Sequence, residues 1–379
     1  MYKLVKPLLF KLSPEKAHDV TINALAICEK SALLRNFLRR QYADKVPALP
    51  TSIMGLNFKH PVGLAAGLDK DARAFQAFAA LGFSSVEMGT VTPLPQPGNP
   101  KPRMFRLADD RAIINRMGFN SGGLQQFLFN FQPFTTLSSR TEQNNAIAGI
   151  NIGKNKLTSN QDANEDYLKA LRTVYSKADY VTVNISSPNT ESLRELQGEE
   201  PLTQLLKALS EERDKLAQEQ HVRKPIALKI APDLTEEEIK VISALVIEFN
   251  FDALIATNTT ITRPSSLLSD EKKQTGGLSG AVLKQQSTDV ITKFYAHLQG
   301  KVPIIGVGGI ENADDAWDKL LAGADYVQIY SGLIYHGPNM IADIVSGLLE
   351  KTKNYTSLSE ALAAERAALK KTTNTHKSL

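Results

Sequence analysis

Val62-Gly63-Leu64-Ala65, Ser85-Val86-Glu87-Met88-Gly89 and Ala148-Gly149-Ile150-Asn151-Ile152 are the first of eight short apolar runs whose spacing decides the fold. The other five are Tyr180-Val181-Thr182-Val183-Asn184-Ile185, Ile226-Ala227-Leu228-Lys229-Ile230, Ala253-Leu254-Ile255-Ala256-Thr257, Pro303-Ile304-Ile305-Gly306-Val307 and Tyr326-Val327-Gln328-Ile329-Tyr330. Runs of this length, apolar nearly throughout and ending in polar or glycine residues, suit strands buried on both faces of a parallel sheet. Helical periodicity fills most of the gaps: 71–81, 165–178, 202–218, 236–249, 285–298 and 314–321. Strand and helix alternate eight times, which predicts an α/β fold, a (β/α)8 TIM barrel.

A barrel of this kind builds its active site at the C-terminal ends of the strands. Lys70, Thr90, Asn151, Asn184, Ser187, Lys229, Thr257, Asn258, Gly309 and Ser331 stand there. The barrel needs about 250 residues, so a chain of 379 has length to spare at both ends. A formal net charge of +4 is too small and too evenly mixed to point to nucleic acid. Cys28 is the only cysteine, which excludes an intrachain disulfide framework. The six histidines form no His-x-x-x-His pair, and no metal is expected.

Residues 1 to 42 differ from the rest. Lys3, Lys6, Lys11, Lys16, Lys30, Arg35, Arg39 and Arg40 outnumber Glu15, Asp19 and Glu29 and are interleaved with aliphatic and aromatic residues. Ser13-Pro14 reads as a helix start, serine as N-cap and proline at the first helical position. A second short helix is expected from Ala32 to Gln41. No uncharged run approaches the roughly 20 residues that span a bilayer. The pair suits either an amphipathic surface lying in a membrane interface or helices packed on the barrel.

Gly306-Val307-Gly308-Gly309-Ile310 and Tyr330-Ser331-Gly332 end the last two runs, where such barrels frequently bind phosphate; tight turns are the alternative. Small residues in Ala65-Ala66-Gly67-Leu68-Asp69-Lys70 let a flat ring approach the backbone, with Lys70 at the rim. Lys229, inside an apolar run, must find an anion or a dipole if it points inward. A reduced flavin would serve, as would a salt bridge. Asn115, Asn184, Asn189 and Asn258 follow different strands, and carboxamides converging on one pocket match a planar ligand with alternating N–H and C=O groups.

Longer strings carry a resemblance. Residues 65–70, Gly89-Thr90-Val91-Thr92-Pro93 with Gln96-Pro97-Gly98-Asn99-Pro100, Asn115-Arg116-Met117-Gly118-Phe119-Asn120, Asn151-Ile152-Gly153-Lys154-Asn155-Lys156, Asn184-Ile185-Ser186-Ser187-Pro188-Asn189-Thr190 and Gly276-Gly277-Leu278-Ser279-Gly280 occur in one order. In this the chain resembles the class 2, quinone-dependent dihydroorotate dehydrogenases, from about Pro7 to about Lys351. The resemblance implies one FMN per chain, oxidation of (S)-dihydroorotate to orotate in pyrimidine biosynthesis, and ubiquinone or a similar quinone as acceptor.

It also implies the site. FMN would be held by Ala66, Gly67, Leu68, Asp69, Lys70, Thr90, Asn151, Asn184, Lys229, Thr257, Gly280, Gly309, Tyr330 and Ser331. Substrate would meet Lys70, Asn115, Arg116, Met117, Gly118, Phe119, Asn184, Asn189, Asn258 and Thr259, with Lys70 facing its carboxylate. Ser187 would be the base that removes the C5 proton, helped by Thr190 and Phe119 through a water, while C6 delivers hydride to flavin N5. Class 1 relatives use cysteine at that position.

Residues 1–42 would form a membrane-associating lid over a quinone tunnel, with His18 and Arg106 at the quinone site. The barrel would occupy 43–352, and 353–379 would be a tail, helical around 358–366 with a disordered polar end. The polar segment 132–145 reads as a solvent loop. A monomer attached peripherally to the cytoplasmic face of a bacterial inner membrane is the implied setting. Two rivals remain at this point: a barrel binding a phosphorylated ligand without redox chemistry, and an FMN barrel acting on another pyrimidine with a soluble acceptor.

Overall fold

The computed structural model describes residues 2–131, 146–190 and 192–377. The expected loop at 132–145 lies outside these. Three helices lead the chain: α1 (Tyr2–Phe10), α2 (Pro14–Lys30) and α3 (Ala32–Gln41). An antiparallel hairpin, β1 (Thr51–Ile53) and β2 (Leu56–Phe58), then precedes the barrel. Barrel strands β3 (Val62–Leu64) and β4 (Ser85–Val91) follow, with the short helix α4 (Phe75–Ala80) between them.

A second antiparallel pair, β5 (Met104–Leu107) and β6 (Ala112–Asn115), interrupts the alternation. The barrel resumes with β7 (Ile147–Ile152), β8 (Tyr180–Asn184), β9 (Ile226–Ile230) and β10 (Ala253–Ala256). Strand β11 (Gly277–Gly280) pairs with β6, and β12 (Ile304–Val307) and β13 (Tyr326–Ile329) complete the barrel. Its closed order is β3-β4-β7-β8-β9-β10-β12-β13, parallel throughout. The eight runs are the eight barrel strands, to within a residue or two at their ends.

Outward side chains such as Val62, Val86, Val181 and Leu228 join the surrounding helices in the main core. A smaller cluster fills the barrel axis, where Phe58 of the hairpin packs on Tyr326 with ring centroids 4.6 Å apart. The hairpin thereby plugs the end of the barrel opposite the site.

Several expectations shift. Helix α4 starts at Phe75, not Asp71, because Asp69 accepts the amides of Arg73 and Ala74 and Ala72 has φ +54°. Ser13 precedes α2 and Pro14 opens it, yet the serine side chain makes no capping bond; Ser31 caps α3 by accepting from Leu34 N. The N-terminal segment holds three helices rather than two, since α1 tolerates Pro7 in its interior. The tail is helical from Leu358 to Lys377, so the expected disorder of its polar end is replaced by helix. Arg366 anchors it by donating to the carbonyls of Leu320 and Ala324. No described helix is long and apolar enough to cross a membrane.

Candidate active site

A cleft enclosing about 1080 Å³ opens at the C-terminal ends of the strands. One wall is the chain after β3, where Gly67 takes φ +106° and a Cβ would lie 3.3 Å from the Tyr330 ring. Ala66, Gly67, Lys70, Thr90, Asn184, Lys229 and Thr257 line that part of the cleft. Lys229 projects inward from β9 and makes no hydrogen bond or ion pair with any described residue; burial pushes its ammonium below the usual lysine range, opposed by the charge of Glu87. A buried cation without a contact partner calls for an anionic ligand.

Beneath this wall the polar groups form a directed chain. Asn258 Nδ2 donates to Asn184 Oδ1 (3.3 Å) and Ser186 Oγ (2.9 Å). Asn184 Nδ2 donates to Thr90 Oγ1 (2.9 Å), Thr90 donates to Asn151 Oδ1 (2.6 Å), and Asn151 Nδ2 donates to Glu87 Oε1 (2.9 Å).

The far end of the cleft gathers the other carboxamides. Asn189 Nδ2 donates to Asn115 Oδ1 at 3.2 Å, and Asn99 holds the loops by donating to the carbonyls of Arg116 and Asn189. Met117, Gly118, Phe119, Asn258 and Thr259 line the same end. Ser187 sits among them, buried, its Oγ accepting from Asn189 N at 3.3 Å. The Oγ1 atoms of Thr190 and Thr259 are buried with no protein partner. Lys70 is half-buried at the rim; burial, then the nearby Arg103 charge, lowers it to about 8. It forms no ion pair with a described residue and is free to meet an acid.

The glycine-rich turns close the third side. Gly280, Gly308 and Gly309 have φ of +110°, +127° and +71°, and a Cβ on Gly309 would lie 2.5 Å from the Lys284 backbone. The Ser279 and Ser331 hydroxyls lie 2.9 Å apart at that end. Backbone amides and hydroxyls gathered around such turns suit a phosphate.

A second, largely apolar cavity of about 1520 Å³ lies beneath the N-terminal helices, lined by Val5, Leu9, Phe10, Leu25, Leu38, Leu68 and Phe78 among others. His18 and Arg106 both line it. His18 Nε2 donates to the Leu68 carbonyl at 2.8 Å, and burial, then Lys70, lowers the imidazole below its usual range. Arg106 donates to the Phe10 carbonyl at 3.2 Å and lies 4.2 Å over the Phe10 ring. Asn115 and Tyr330 line both cavities and form the wall between them.

Four of the expected residues stand apart from the cleft surface. Leu68 faces the second cavity, Asp69 is spent on the amides before α4, Asn151 lies one layer below, and Arg116 turns outward to Gln274 and Thr275. Others came unannounced. Gln328 lines the cleft with a buried Oε1 that has no protein partner. Arg194 donates to the Ser186 carbonyl (3.1 Å), the Thr259 carbonyl (2.9 Å) and Asp233 (2.9 Å), and so ties the loop bearing Ser187 to the loop bearing Asn258. Asp233 also accepts from Thr260 and from Ile261 N. A lone charge inside an apolar run was a legible signal for Glu87, as it was for Lys229; nothing local marked Arg194 or Asp233.

Known proteins agree with this geometry. The profile of the family described as dihydroorotate dehydrogenase matches residues 48–352. A dihydroorotate dehydrogenase (quinone) of Marinobacter nauticus is 47% identical over 348 residues, 92% of this chain and 98% of the relative. One from Methylobacillus flagellatus is 49% identical over 344 residues, 91% and 98% of the two chains. The crystal structure of Eimeria tenella DHODH in complex with ferulenol superposes with a TM-score of 0.84 at 40% identity, covering 92% of this chain and 95% of that one.

Proposed function

This chain belongs to the dihydroorotate dehydrogenase family, and from that premise we propose that it oxidises (S)-dihydroorotate to orotate in pyrimidine biosynthesis, with FMN as redox group and a quinone as final acceptor. One observation carries the reading: three carboxamides, Asn115 at the end of β6 and Asn189 and Asn258 in loops, line the cleft with Ser187 beside a slot whose buried ammonium, Lys229, lacks a contact partner.

The residues fit FMN. The small-residue wall at Ala66-Gly67 admits a ring, Lys229 offers the charge that an electron-rich pyrimidine edge requires, and Thr90, Asn184 and Thr257 border the same slot. Gly280, Gly309 and Ser331 suit the phosphate. FMN held there would supply a hydride acceptor that a quinone can reoxidise.

The protein's own part is to place the substrate and take a proton. Lys70 receives the substrate carboxylate, and Asn115, Asn189 and Asn258 pair with the ring amides, each able to donate and accept. Ser187 takes the C5 proton. A hydroxyl is a weak base, and the Asn189 amide donating to its Oγ favours the deprotonated form. No carboxylate or imidazole among the described residues contacts Ser187, so its proton leaves through water beside Thr190, whose Oγ1 has no protein partner. Arg194 keeps Ser187 and Asn258 in register.

The apolar cavity would take the quinone, with His18 and Arg106 as its polar contacts. The same helices expose Leu4, Leu8, Leu33 and Phe37 beside Arg39 and Arg40, a surface suited to peripheral attachment at the cytoplasmic face of an inner membrane. A monomer is the proposed working unit.

The test is reduction of a short-chain ubiquinone by purified protein in mild detergent, started with dihydroorotate and compared with fumarate and NAD. Quinone-specific turnover is expected. Flavin bleaching without quinone turnover would restore the soluble-acceptor rival, and protein that neither contains nor takes up flavin would leave a binder of phosphorylated ligands.

A further inference from the structure

The eight barrel strands contain one acidic and one basic residue between them, Glu87 in β4 and Lys229 in β9. Glu87 is fully buried in the barrel axis. Isolated there, a carboxylate would take up a proton. Instead all three side chains that touch it donate: Asn151 Nδ2 to Oε1 at 2.9 Å, Tyr180 OH to Oε2 at 2.9 Å and Gln328 Nε2 to Oε2 at 2.8 Å. Each of the three directs a hydrogen at a carboxyl oxygen that accepts it.

Its oxygens are occupied, and it makes no ion pair with Lys229, so the two charges act across a gap. Gln328 donates to Glu87 through Nε2, leaves its Oε1 unpartnered and lines the same cleft as Lys229. In a medium of low dielectric such separated charges still couple strongly. Other ionisable groups on the barrel strands are Tyr180 in β8 and Tyr326 in β13, both buried phenols held above their ordinary range, by burial first. Strands β3, β7, β10 and β12 contribute none. Lys70 and Tyr330 reach the cleft from the loops. Glu311 also lines the cleft but is engaged by Arg111 and His336, and among the described residues Glu87 is the carboxylate whose charge acts on Lys229.

A carboxylate only accepts, so Asn151 must turn its amide nitrogen down and its oxygen up. Thr90 then has to donate to Asn151, Asn184 to Thr90, and Asn258 to Asn184. One buried charge thereby orients carboxamides on three further strands and loops.

We propose that Glu87 is a positioning residue of the cofactor pocket, acting on Lys229 within the barrel and through Asn151, whose orientation it imposes on the chain above. This rests on the FMN reading, but its test does not depend wholly on it. The first measurement is the absorbance of bound oxidised flavin against pH in wild type, Glu87→Gln and the Glu87→Gln, Lys229→Met double variant. Loss of the counter-charge should move the Lys229 titration down by at least about one pH unit, and the double variant should lack it. An unmoved titration in Glu87→Gln, or a new one that survives Lys229→Met, would overturn the proposal.

The second measurement needs no flavin. Glu87→Gln leaves Lys229 buried without compensation, so its thermal midpoint should fall, and adding Lys229→Met should recover much of the loss. Strictly additive losses would overturn the coupling, including where Glu87→Gln alone cannot be purified and the double variant is no better. Coupling in the thermal cycle of a protein that never binds flavin would sink the functional reading and leave Glu87 paired with Lys229.

Discussion

The cleft at the strand ends turns carboxamides, hydroxyls and two lysines toward its ligand, whereas the cavity under the N-terminal helices presents mostly apolar side chains and the half-buried His18 and Arg106. The first is borne on strand ends whose backbone is fixed by the closed barrel. The second is roofed by α1, α2 and α3, of which only α2 buries residues, Ala17, Ile22 and Glu29. Precision is concentrated where bonds are made and broken; the apolar cavity asks only for shape. Substitutions should therefore hurt sharply and locally in the cleft and gradually in the cavity.

The largest contrast is expected from Ser187→Ala. Stopped-flow bleaching of the flavin by dihydroorotate should slow by about 10²–10⁴-fold, the usual worth of a general base, with FMN content unchanged. Unaltered bleaching would remove Ser187 from its role and, with it, much of the cleft's claim to precision.

Removing residues 1–42 comes next and acts on the other side only. Quinone turnover should vanish while dihydroorotate-driven bleaching survives. Loss of both would show that the helices hold the barrel together, through Glu29 of α2, whose carboxylate accepts the amides of Gln76 and Ala77.

Arg194→Ala sharpens the comparison within the cleft. Freed from Asp233 and from the two carbonyls it binds, the Ser187 loop should drift, lowering the bleaching rate by roughly 10²-fold, as small misplacements do. Equilibrium binding of orotate should weaken far less. Equal losses in rate and binding would mean that Arg194 merely holds the fold.

A smaller effect follows from Lys70, lowered to about 8 by burial and by Arg103. The ammonium is present below that pH and lost above it, so orotate affinity should decline as pH rises past about 8, by at most tenfold per unit. Lys70→Met should bind weakly at every pH and show no such slope.

The smallest effect belongs to the helices. Burial raises Glu29 to about 7, against an ordinary value near 4.5, with its two amide bonds opposing the rise. A carboxyl with a raised folded-state value stabilises docking while protonated and loses that contribution as pH climbs from the unfolded value through the folded one. Limited proteolysis of α1–α3 should accordingly be slower at pH 5.5 than at pH 8, and Glu29→Gln should flatten the difference.

The barrel was legible because its strands are buried on both faces, so each appears as an uninterrupted apolar run. The sheet of β5, β6 and β11 was not, since four-residue segments such as Met104-Phe105-Arg106-Leu107 alternate too briefly to stand out. Helix α1 was hidden by Pro7, and it is secured by a tertiary contact, Lys6 donating to the Tyr335 carbonyl across the whole chain. Asn184, Asn189 and Asn258 could be read because they end or follow barrel strands, whereas Asn115, which ends β6, stood out only through its string Asn115-Arg116-Met117-Gly118-Phe119-Asn120. Arg194 could not, because its value lies in three partners distant in sequence.

Asn115 and Tyr330 belong to both cavities, so the protein is a partition with a different solvent on each side. An acid entering the cleft and an apolar ring entering the cavity never contend for the same volume. Inhibitors shaped for the two chambers should then occupy one molecule together, and a dose of each should multiply the other's effect instead of displacing it.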